Sequence, residues 1–471
     1  MEDMNHALDK VKGKSLRVAV VHKLSFNEPM GIGYLSAYLK MHFPYINVEF
    51  FNTNTCALDD VKAFQPNLVL YSVMTGQHKE YLSYNIRLKE RLDPFISVFG
   101  GPHPTFFPEM IAHEGVDIIC RGEGEVPLKN LVGAVISCSD FRFIKSLWVK
   151  YEDSTHRNEV DHLVEDLDNL PFPDRNLYYK KSAFLRSYGR RPMVGARGCP
   201  FKCSYCYNSG LNELFKGKGR ILRYRSPQSV VDEAVSIKSN YGVRFIAFIE
   251  DVFSGVRLGW LKEFCERYSR LDIPFFVSIR AEFVKPEVAR YLRKCGCISA
   301  SMAIEHGDYD YRRKYLFRNM TNEMLIEGTR ILESEGIRVA SPIILGLPFT
   351  DINDELKTLK LACESKPTHA TTAVFQPYPG TALTDICLEH GLIDSASIDN
   401  LPDDFFSAAN IKYIDYAKVL KLHNSFTVLW LMNKWFNVDV EKWFYRLPNS
   451  MIIRLLNMAL KYLTFVKIIG Y

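Results

Sequence analysis

The sequence lacks any run of about eighteen uninterrupted apolar residues, the length that a membrane-spanning helix needs. Residues 1–6 include acids and no apolar segment, so we expect no signal peptide. Eleven cysteines in 471 residues do not make the dense disulfide framework of a small secreted domain. A mild net charge of +5, spread along the chain, does not favour a nucleic-acid partner. We therefore expect a cytoplasmic protein whose thiols stay reduced.

The chain is too long for one ordinary core, which predicts two or three domains, and a hydrophobic content of 47% excludes disorder. Its most apolar stretch is 451–469, where Arg454, Asn457, Lys461 and Lys467 recur at near-helical spacing. This pattern predicts a largely apolar helix with one polar stripe. Such a helix either packs on the body of the protein or makes a peripheral contact with a membrane surface.

Three cysteines, Cys199, Cys203 and Cys206, stand in the spacing C-x₃-C-x₂-C. A [4Fe–4S] cluster is normally held by four thiolates, one per iron. Three thiolates leave one iron open, so we expect a chelating cofactor from solution to complete it. Gly198 and Pro200 favour a tight loop that can wrap such a cluster.

Two other interpretations of these cysteines stay open, namely three core thiols or a zinc site with a distant fourth ligand. Zinc motifs usually join a C-x₂-C pair to a second pair or to a histidine, and no such partner follows here. Cys295 and Cys297 have the wrong spacing for that role. Tyr205, between two of the three cysteines, is placed to lay its ring beside a bound planar group.

The first 135 residues alternate short apolar strands with helices. The predicted strands are 16–21, 47–51, 67–73, 96–99 and 116–120. This alternation predicts a parallel sheet covered on both faces, with ligands bound at the carboxyl ends of its strands. Glycine-rich loops at 100–105 and 121–125 fall at those ends.

A second α/β series follows a connector that contains the proline-punctuated linker 167–174. Its predicted strands are 193–196, 245–249, 275–279, 298–304, 338–345 and 369–375. Six βα units make most of a barrel, whose active face lies at the carboxyl ends of the strands. The cysteine loop follows the first of these strands, and polar residues end the next three. The remaining residues are aromatic-rich and predicted to be helical.

The segment 199–206 resembles the radical S-adenosylmethionine (SAM) superfamily, whose signature is C-x₃-C-x-(aromatic)-C. Residues 15–390 are similar to its cobalamin-binding subgroup, on the motifs 98–105, 122–125, 305–323, 346–348 and 375–381. The resemblance implies an α/β chain with four parts. They are a Rossmann-like (flavodoxin-like) cobalamin-binding domain at 1–140, a connector at 141–192, a partial (β/α)6 TIM-type radical SAM barrel at 193–392 and a helical region at 393–471.

The same resemblance implies that Cys199, Cys203 and Cys206 hold the cluster and that SAM chelates the open iron. Carboxylates suit the ammonium and ribose hydroxyls of SAM, and guanidinium groups suit its carboxylate. The expected SAM contacts are Tyr205, Glu250, Asp251, Arg280, Glu305 and Arg312. The expected cobalamin contacts are Ser72, Gly100, Gly101, His103, Gly122 and Glu123.

Two departures bear on these expectations. The Asp-x-His-x-x-Gly loop that ligates cobalt in methionine-synthase-type domains does not occur in the sequence, so cobalamin binding depends on the other loops. In the family, Gly-Leu-Pro is commonly followed by small and acidic residues. Here Gly346-Leu347-Pro348 is followed by Phe349-Thr350-Asp351 instead. For His103 we favour a nucleotide-tail contact or a structural turn over a cobalt ligand, because prolines on both sides fix its backbone.

The resemblance implies a methyltransferase that acts on an unactivated carbon of a small-molecule or lipid-like substrate. In this chemistry a 5′-deoxyadenosyl radical abstracts hydrogen and methylcobalamin supplies the methyl group, so we assign no catalytic acid or base. An electron donor such as flavodoxin or ferredoxin is the expected partner. One alternative is a non-methylating enzyme of oxidative cyclisation or ring contraction. Another is a non-catalytic cluster and cobalamin sensor.

Overall fold

The computed structural model describes residues 16–24, 27–55, 58–253, 257–402, 404 and 406–469. The chain divides into two compact units, Met1–Gly189 with Leu211–Ile221, and Arg190–Gly210 with Leu222–Tyr471. This division joins most of the expected connector to the first unit and the expected C-terminal region to the second. The four domain boundaries given above stay predictions.

The first unit is built on one sheet. Its strands are β1 (Arg17–His22), β2 (Asn47–Asn52), β3 (Leu68–Ser72), β4 (Ile96–Gly100), β5 (Ile118–Cys120), β6 (Leu147–Tyr151) and β7 (Ser154–Arg157). Their order is β2-β1-β3-β4-β5-β6-β7, with the first five parallel and the last two antiparallel. The parallel strands are rich in Val, Ile and Leu and largely buried, as expected for strands covered on both faces.

The predicted Rossmann-like domain is therefore confirmed, but the hairpin of β6 and β7 was not predicted, because this segment was assigned to the connector. The helices of the unit are α1 (Met30–His42), α2 (Leu58–Phe64), α3 (His78–Lys89), α4 (Pro102–Phe106), α5 (Glu125–Ser137), α6 (Asn176–Tyr179) and α7 (Ala183–Ser187). A buried ion pair between Arg175 and Glu28 fastens the end of the connector to this domain. Tyr179 also donates to Glu28, over 2.6 Å.

The second unit contains a six-stranded sheet and a two-stranded ribbon. The strands are β8 (Arg190–Met193), β9 (Ala196–Arg197), β10 (Arg223–Tyr224), β11 (Phe245–Phe248), β12 (Phe275–Ser278), β13 (Cys297–Ser301), β14 (Arg338–Leu345) and β15 (His369–Val374). The large sheet has the order β15-β14-β13-β12-β11-β8, and every neighbouring pair is parallel. Strands laid side by side in chain order are the arrangement of a partial barrel, which confirms the predicted fold.

Helices alternate with these strands, and several of them begin at side-chain caps. They are α8 (Tyr207–Leu214), α9 (Pro227–Tyr241), α10 (Leu258–Tyr268), α11 (Pro286–Lys294), α12 (Tyr309–Tyr315), α13 (Asn322–Ser334), α14 (Ile352–Ser365), α15 (Ala382–Glu389) and α16 (Ser395–Asp399). Ser226 and Thr321 accept hydrogen bonds from the first turns of α9 and α13. Asp351 forms a capping box at the start of α14.

The prediction of the first barrel strand at 193–196 was wrong by three residues. The strand is Arg190–Met193, which pairs with Phe245–Phe248, whereas Ala196 and Arg197 pair antiparallel with β10. Pro192 made 190–193 an unfavourable strand in the sequence. It is tolerated because β8 lies at the edge of the sheet, where a missing N–H costs no ladder hydrogen bond.

The C-terminal region consists of α17 (Tyr416–Phe436), α18 (Val440–Arg446) and α19 (Met451–Ile468), which confirms the predicted helices. Asn457 of α19 accepts hydrogen bonds from the main-chain N–H groups of Thr427 and Val428, at 2.8 and 3.3 Å. Trp430 donates to the main chain of Ala362 over 3.2 Å. Among the described residues, no helix combines the length and the hydropathy that crossing a bilayer requires.

Gly307 provides a test of how tightly the barrel is packed after β13. A Cβ at this position would lie 2.4 Å from main-chain atoms of Lys357 and Thr358 in α14. We expect Gly307→Ala to destabilise the protein by roughly 1–3 kcal/mol or more, measured by urea unfolding. Gly259→Ala in α10 is the matched control, because nothing lies within 4 Å of its added Cβ. Equal stability of the two variants would contradict the packing.

Candidate active site

The loop that carries the three cysteines lies between β9 and α8 in the second unit. Gly198 turns the chain with φ of +84°, a conformation that favours glycine. Cys199 and Cys203 are buried, at 8% and 7% exposure, and Cys206 is half-buried. The Cys206 N–H donates to the Cys203 carbonyl over 3.1 Å, which closes the turn before α8. The structure therefore brings all three predicted cluster ligands into one short, well-packed loop.

The thiols of this loop interact with one another. Burial raises the pKa of Cys199 to about 12 and that of Cys206 to about 11, and Asp251 and the neighbouring thiols add to the rise. In the described ranges, no group of three His, Cys, Asp or Glu side chains is arranged to hold a single metal ion. A [4Fe–4S] cluster asks for a different arrangement, with each thiolate on its own iron. The role of the three cysteines as cluster ligands stays a prediction.

Arg280, which follows β12, lies against the cysteine loop. Its guanidinium donates to Cys203 Sγ over 3.3 Å and pairs with Glu282 at 2.6 Å. It also stacks over the Phe201 ring, 3.7 Å from the centroid. A permanent positive charge beside a thiol suits an anionic cluster held at that thiol. The predicted contact of Arg280 with the SAM carboxylate stays a prediction.

Tyr205, Glu305 and Arg318 form a buried network that we call the Tyr205 triad. The Tyr205 hydroxyl donates to Glu305 Oε1 over 2.7 Å, and Arg318 donates to that hydroxyl over 3.0 Å. Arg318 also pairs with Glu305 at 3.6 Å and reaches Cys203 Sγ at 4.0 Å. The triad therefore joins two predicted SAM contacts to the cysteine loop.

Arg318 lies in the sequence motif 305–323, but that motif did not indicate its place in the site. The signal that was present is its position in the run Arg318-Asn319-Met320-Thr321, directly after α12. Glu305 has φ of +62°, which is unusual for a residue with a side chain. Its N–H and C=O are bonded to Pro342 and Ile344 of β14, at 3.2 and 2.9 Å, and these bonds hold the strained backbone. Such strain is typical of functional sites.

Glu250, at the end of β11, presents a buried carboxylate oxygen without a partner. Its Oε2 accepts the Gly195 N–H over 3.3 Å, whereas Oε1 has no hydrogen bond among the described residues. Burial raises the pKa of this carboxyl to about 8. While no cation is bound at Oε1, the carboxyl is therefore mostly neutral at pH 7. An ammonium group such as that of SAM, bound at Oε1, would favour the ionised form and pair the buried oxygen.

Asp251 and Asn208 connect this strand end to the cysteines. Asp251 is exposed and interacts with the Asn208 side chain, which donates to Cys206 Sγ over 3.6 Å. Asn208 was not among the site residues predicted from the sequence. Asp251 therefore lies beside the loop as expected, while its contact with SAM stays a prediction.

Arg312, the remaining predicted SAM contact, has a different environment. It is fully buried, and its terminal nitrogens donate to the main chain of His306 and Met320 and to Asn322 Oδ1, at 2.5, 2.9 and 2.6 Å. These bonds hold together the loop that carries Glu305 and Arg318. The geometry thus supports a positioning role for Arg312, and its contact with SAM stays a prediction.

In the first unit, packing explains two of the three glycines expected at cobalamin. Gly101 has φ of +97°, and a Cβ there would lie 2.8 Å from the main-chain N of Val73. A Cβ on Gly122 would lie 2.3 Å from the Phe215 ring. Ser72 and Gly100 end neighbouring strands beside Gly101.

His103 and Glu123 are also engaged within this unit. The His103 ring stacks on His78, with centroids 4.1 Å apart, and its Nδ1 lies 3.2 Å from Thr75 Oγ1. Burial lowers the pKa of His103 to about 3. Glu123 accepts the Val164 N–H over 2.9 Å. These loop residues therefore make contacts within the first unit. All six cobalamin contacts stay predictions.

The two units match two known domain families. Residues 16–132 match the B12 binding domain, and residues 193–362 match the Radical SAM superfamily. The chain belongs to the cobalamin-binding radical SAM enzymes. Its domains imply a [4Fe–4S] cluster, SAM and cobalamin as cofactors. The resemblance seen in the sequence is confirmed.

Relatives of this cobalamin-binding radical SAM enzyme include both methyltransferases and cyclases. An uncharacterized methyltransferase of Pyrococcus horikoshii is 24% identical over 373 residues, which cover 78% of this chain and 79% of the relative. The anaerobic magnesium-protoporphyrin IX monomethyl ester cyclase of Cereibacter sphaeroides is 27% identical over 302 residues, which cover 61% of this chain and 48% of that one.

A solved structure supports the fold. The cobalamin-dependent SAM radical enzyme OxsB, with aqua-cobalamin bound, superposes with a TM-score of 0.71 at 16% identity. The match covers 96% of this chain and 72% of that chain. At this identity, the likeness shows the fold alone.

Replacing Cys199, Cys203 and Cys206 by Ala removes every thiol of the loop. We expect the anaerobically reconstituted variant to lose the visible absorbance of the cluster and the cleavage of SAM. Cys138→Ala is the control, because Cys138 is an exposed thiol of the first unit. SAM cleavage that survives the triple substitution would contradict the assignment of the loop.

Arg280→Met removes a positive charge and a hydrogen bond from Cys203. We expect the cluster to become harder to reduce, with its midpoint potential shifted negative by about 60 mV or more, measured by potentiometric electron paramagnetic resonance. Arg267→Met in α10 is the matched control, because this exposed arginine pairs only with Glu263 and Gln228 in the described residues. An unchanged potential in Arg280→Met would contradict the electrostatic role.

Proposed function

We propose that this chain is a cobalamin-dependent radical SAM methyltransferase that acts on an unactivated carbon of a small-molecule or lipid-like substrate. The observation that carries the radical chemistry is the three-thiol loop with guanidinium groups beside it and an unpartnered carboxylate oxygen of Glu250 at the next strand end. The methyltransferase relative supports methyl transfer as the outcome. In such an enzyme the cluster and SAM supply a one-electron radical source, and cobalamin supplies a methyl carrier.

The protein's own contribution is charge placement and exclusion of water. Arg280 and Arg318 offset negative charge at Cys203 without being able to lose their protons at neutral pH. Glu250 offers Oε1 to a cationic group, and burial strengthens that interaction because little water competes. The Tyr205 triad fixes the phenol ring beside the thiols. No acid or base is required, so we name no catalytic side chain.

The second candidate is a cyclase that uses the same cofactors without methylation. The similarity to the magnesium-protoporphyrin ester cyclase favours this candidate, although the match spans about half of that relative. In either case the radical step consumes an electron, and a flavodoxin or a ferredoxin is the donor class that we propose.

Product analysis separates the two candidates. The reconstituted protein, loaded with cobalamin and reduced, is incubated with SAM carrying a deuterated methyl group and with fractionated small-molecule and lipid extracts of the expression host. We expect S-adenosylhomocysteine and 5′-deoxyadenosine to form together, with the label in a new C-methyl product. The triple cysteine variant serves as the blank.

Two results would contradict the methyltransferase. Substrate-dependent 5′-deoxyadenosine without S-adenosylhomocysteine or label transfer favours the cyclase. Absence of SAM cleavage with every fraction, from protein that holds an intact cluster, overturns both enzymatic candidates.

A further inference from the structure

Helix α19 is turned with Asn457 and Thr464 toward the protein. Asn457 and Thr464 are 6% and 8% exposed, and both are hydrogen-bonded inside the second unit. Asn457 accepts from Thr427 and Val428 in α17, and Thr464 Oγ1 lies 2.8 Å from His369 Nδ1. The orientation of the helix is therefore fixed by specific polar contacts.

The opposite face of α19 is apolar and exposed over the whole helix, about 27 Å long at 1.5 Å per residue. We call it the α19 stripe. Its large side chains are 40–76% exposed and are Met451, Ile452, Leu455, Leu456, Met458, Tyr462, Leu463 and Phe465. Their spacing of three and four residues makes one continuous band. Contiguous exposed apolar surface of this kind marks an interaction site.

The chain segment that carries the stripe has charges of a single sign. Residues 442–469 contain five Lys or Arg and no Asp or Glu. Arg454 and Lys467 are exposed and border the stripe on its two sides at 3.6 residues per turn. Trp435 and Phe436, which end the neighbouring helix α17, are 61% and 72% exposed. Basic residues flanking Leu, Met and aromatic side chains are the composition of helices that lie in a membrane interface.

Charge also discriminates among the partners that could cover the stripe. A second copy, placed by two-fold symmetry, would bring the same basic residues together and repel. Anionic lipid headgroups would instead pair with Arg454 and Lys467, while the long stems of these side chains stay along the apolar face. The helix does not qualify as a membrane span, so it would lie in the surface.

We propose that α19 binds the surface of a membrane containing anionic lipids, with the α19 stripe among the acyl chains and Arg454 and Lys467 at the headgroups. The binding is independent of the proposed chemistry, because the stripe includes no residue of the cysteine loop or of the Tyr205 triad. A negative result for membrane binding therefore does not contradict the proposed chemistry, and the reverse also holds.

Vesicle flotation of the reconstituted full chain tests this proposal. We expect flotation with vesicles of phosphatidylcholine and phosphatidylglycerol, and much weaker flotation with phosphatidylcholine alone. The double substitution Leu455→Asp and Leu463→Asp should lower the partition coefficient by about tenfold or more. Arg454→Gln with Lys467→Gln should keep the stripe but remove most of the preference for anionic lipid.

The matched control is Ile136→Asp with Phe143→Asp, two exposed apolar residues of the first unit that receive the same change in charge. It should float like the unmodified protein. Cluster absorbance and thermal unfolding must be the same in all variants. Flotation that is absent, or that the stripe and control substitutions lower equally, overturns the proposal. Light scattering that shows a dimer dissociated by the stripe substitutions also overturns it, because a second copy would then be the occupant.

Discussion

Two guanidinium groups reach the same thiol from different segments of the barrel. Arg280 approaches Cys203 Sγ from the end of β12, and Arg318 approaches it from the segment after α12, at 3.3 and 4.0 Å. Burying an anionic thiolate without compensation would cost several kcal/mol. Arginine is suited to this compensation because it stays charged when buried. These two charges compensate negative charge placed at Cys203 in an interior position.

The cysteine loop also depends on a buried support beneath it. Arg225 forms a buried ion pair with Glu233 and donates to the Val194 carbonyl over 3.2 Å. Its own N–H bonds the Gly195 carbonyl, while the Gly195 N–H bonds Glu250. A buried pair with further hydrogen bonds is costly to break from either side. The segment that leads into the cysteines is thus held in place from α9 and from β11 at once.

Sequence patterns predicted the fold and the cysteine loop, because hydrophobic periodicity and cysteine spacing are local signals. They did not predict which arginine faces the site. Arg312 and Arg318 both follow the Glu305 motif, yet Arg312 is bonded to main-chain oxygens and Arg318 joins Tyr205. Which arginine faces the site depends on how the segment after β13 folds back onto β14. No local sequence pattern predicts that arrangement. The same limit applies to Gly122, whose sequence context indicated a ligand although the structure places the Phe215 ring there.

Helix α19 shows most plainly what sequence patterns cannot predict. Periodicity established that its polar residues share one face, but periodicity cannot say which face is buried. Water would ordinarily receive the polar face, yet Asn457 is bonded to α17 and the apolar face is left outside. Exposing that much apolar surface is unfavourable by about 25 cal/mol for each Å². The arrangement persists only because the polar contacts beneath the helix are specific, and it is favourable overall where something other than water covers the stripe.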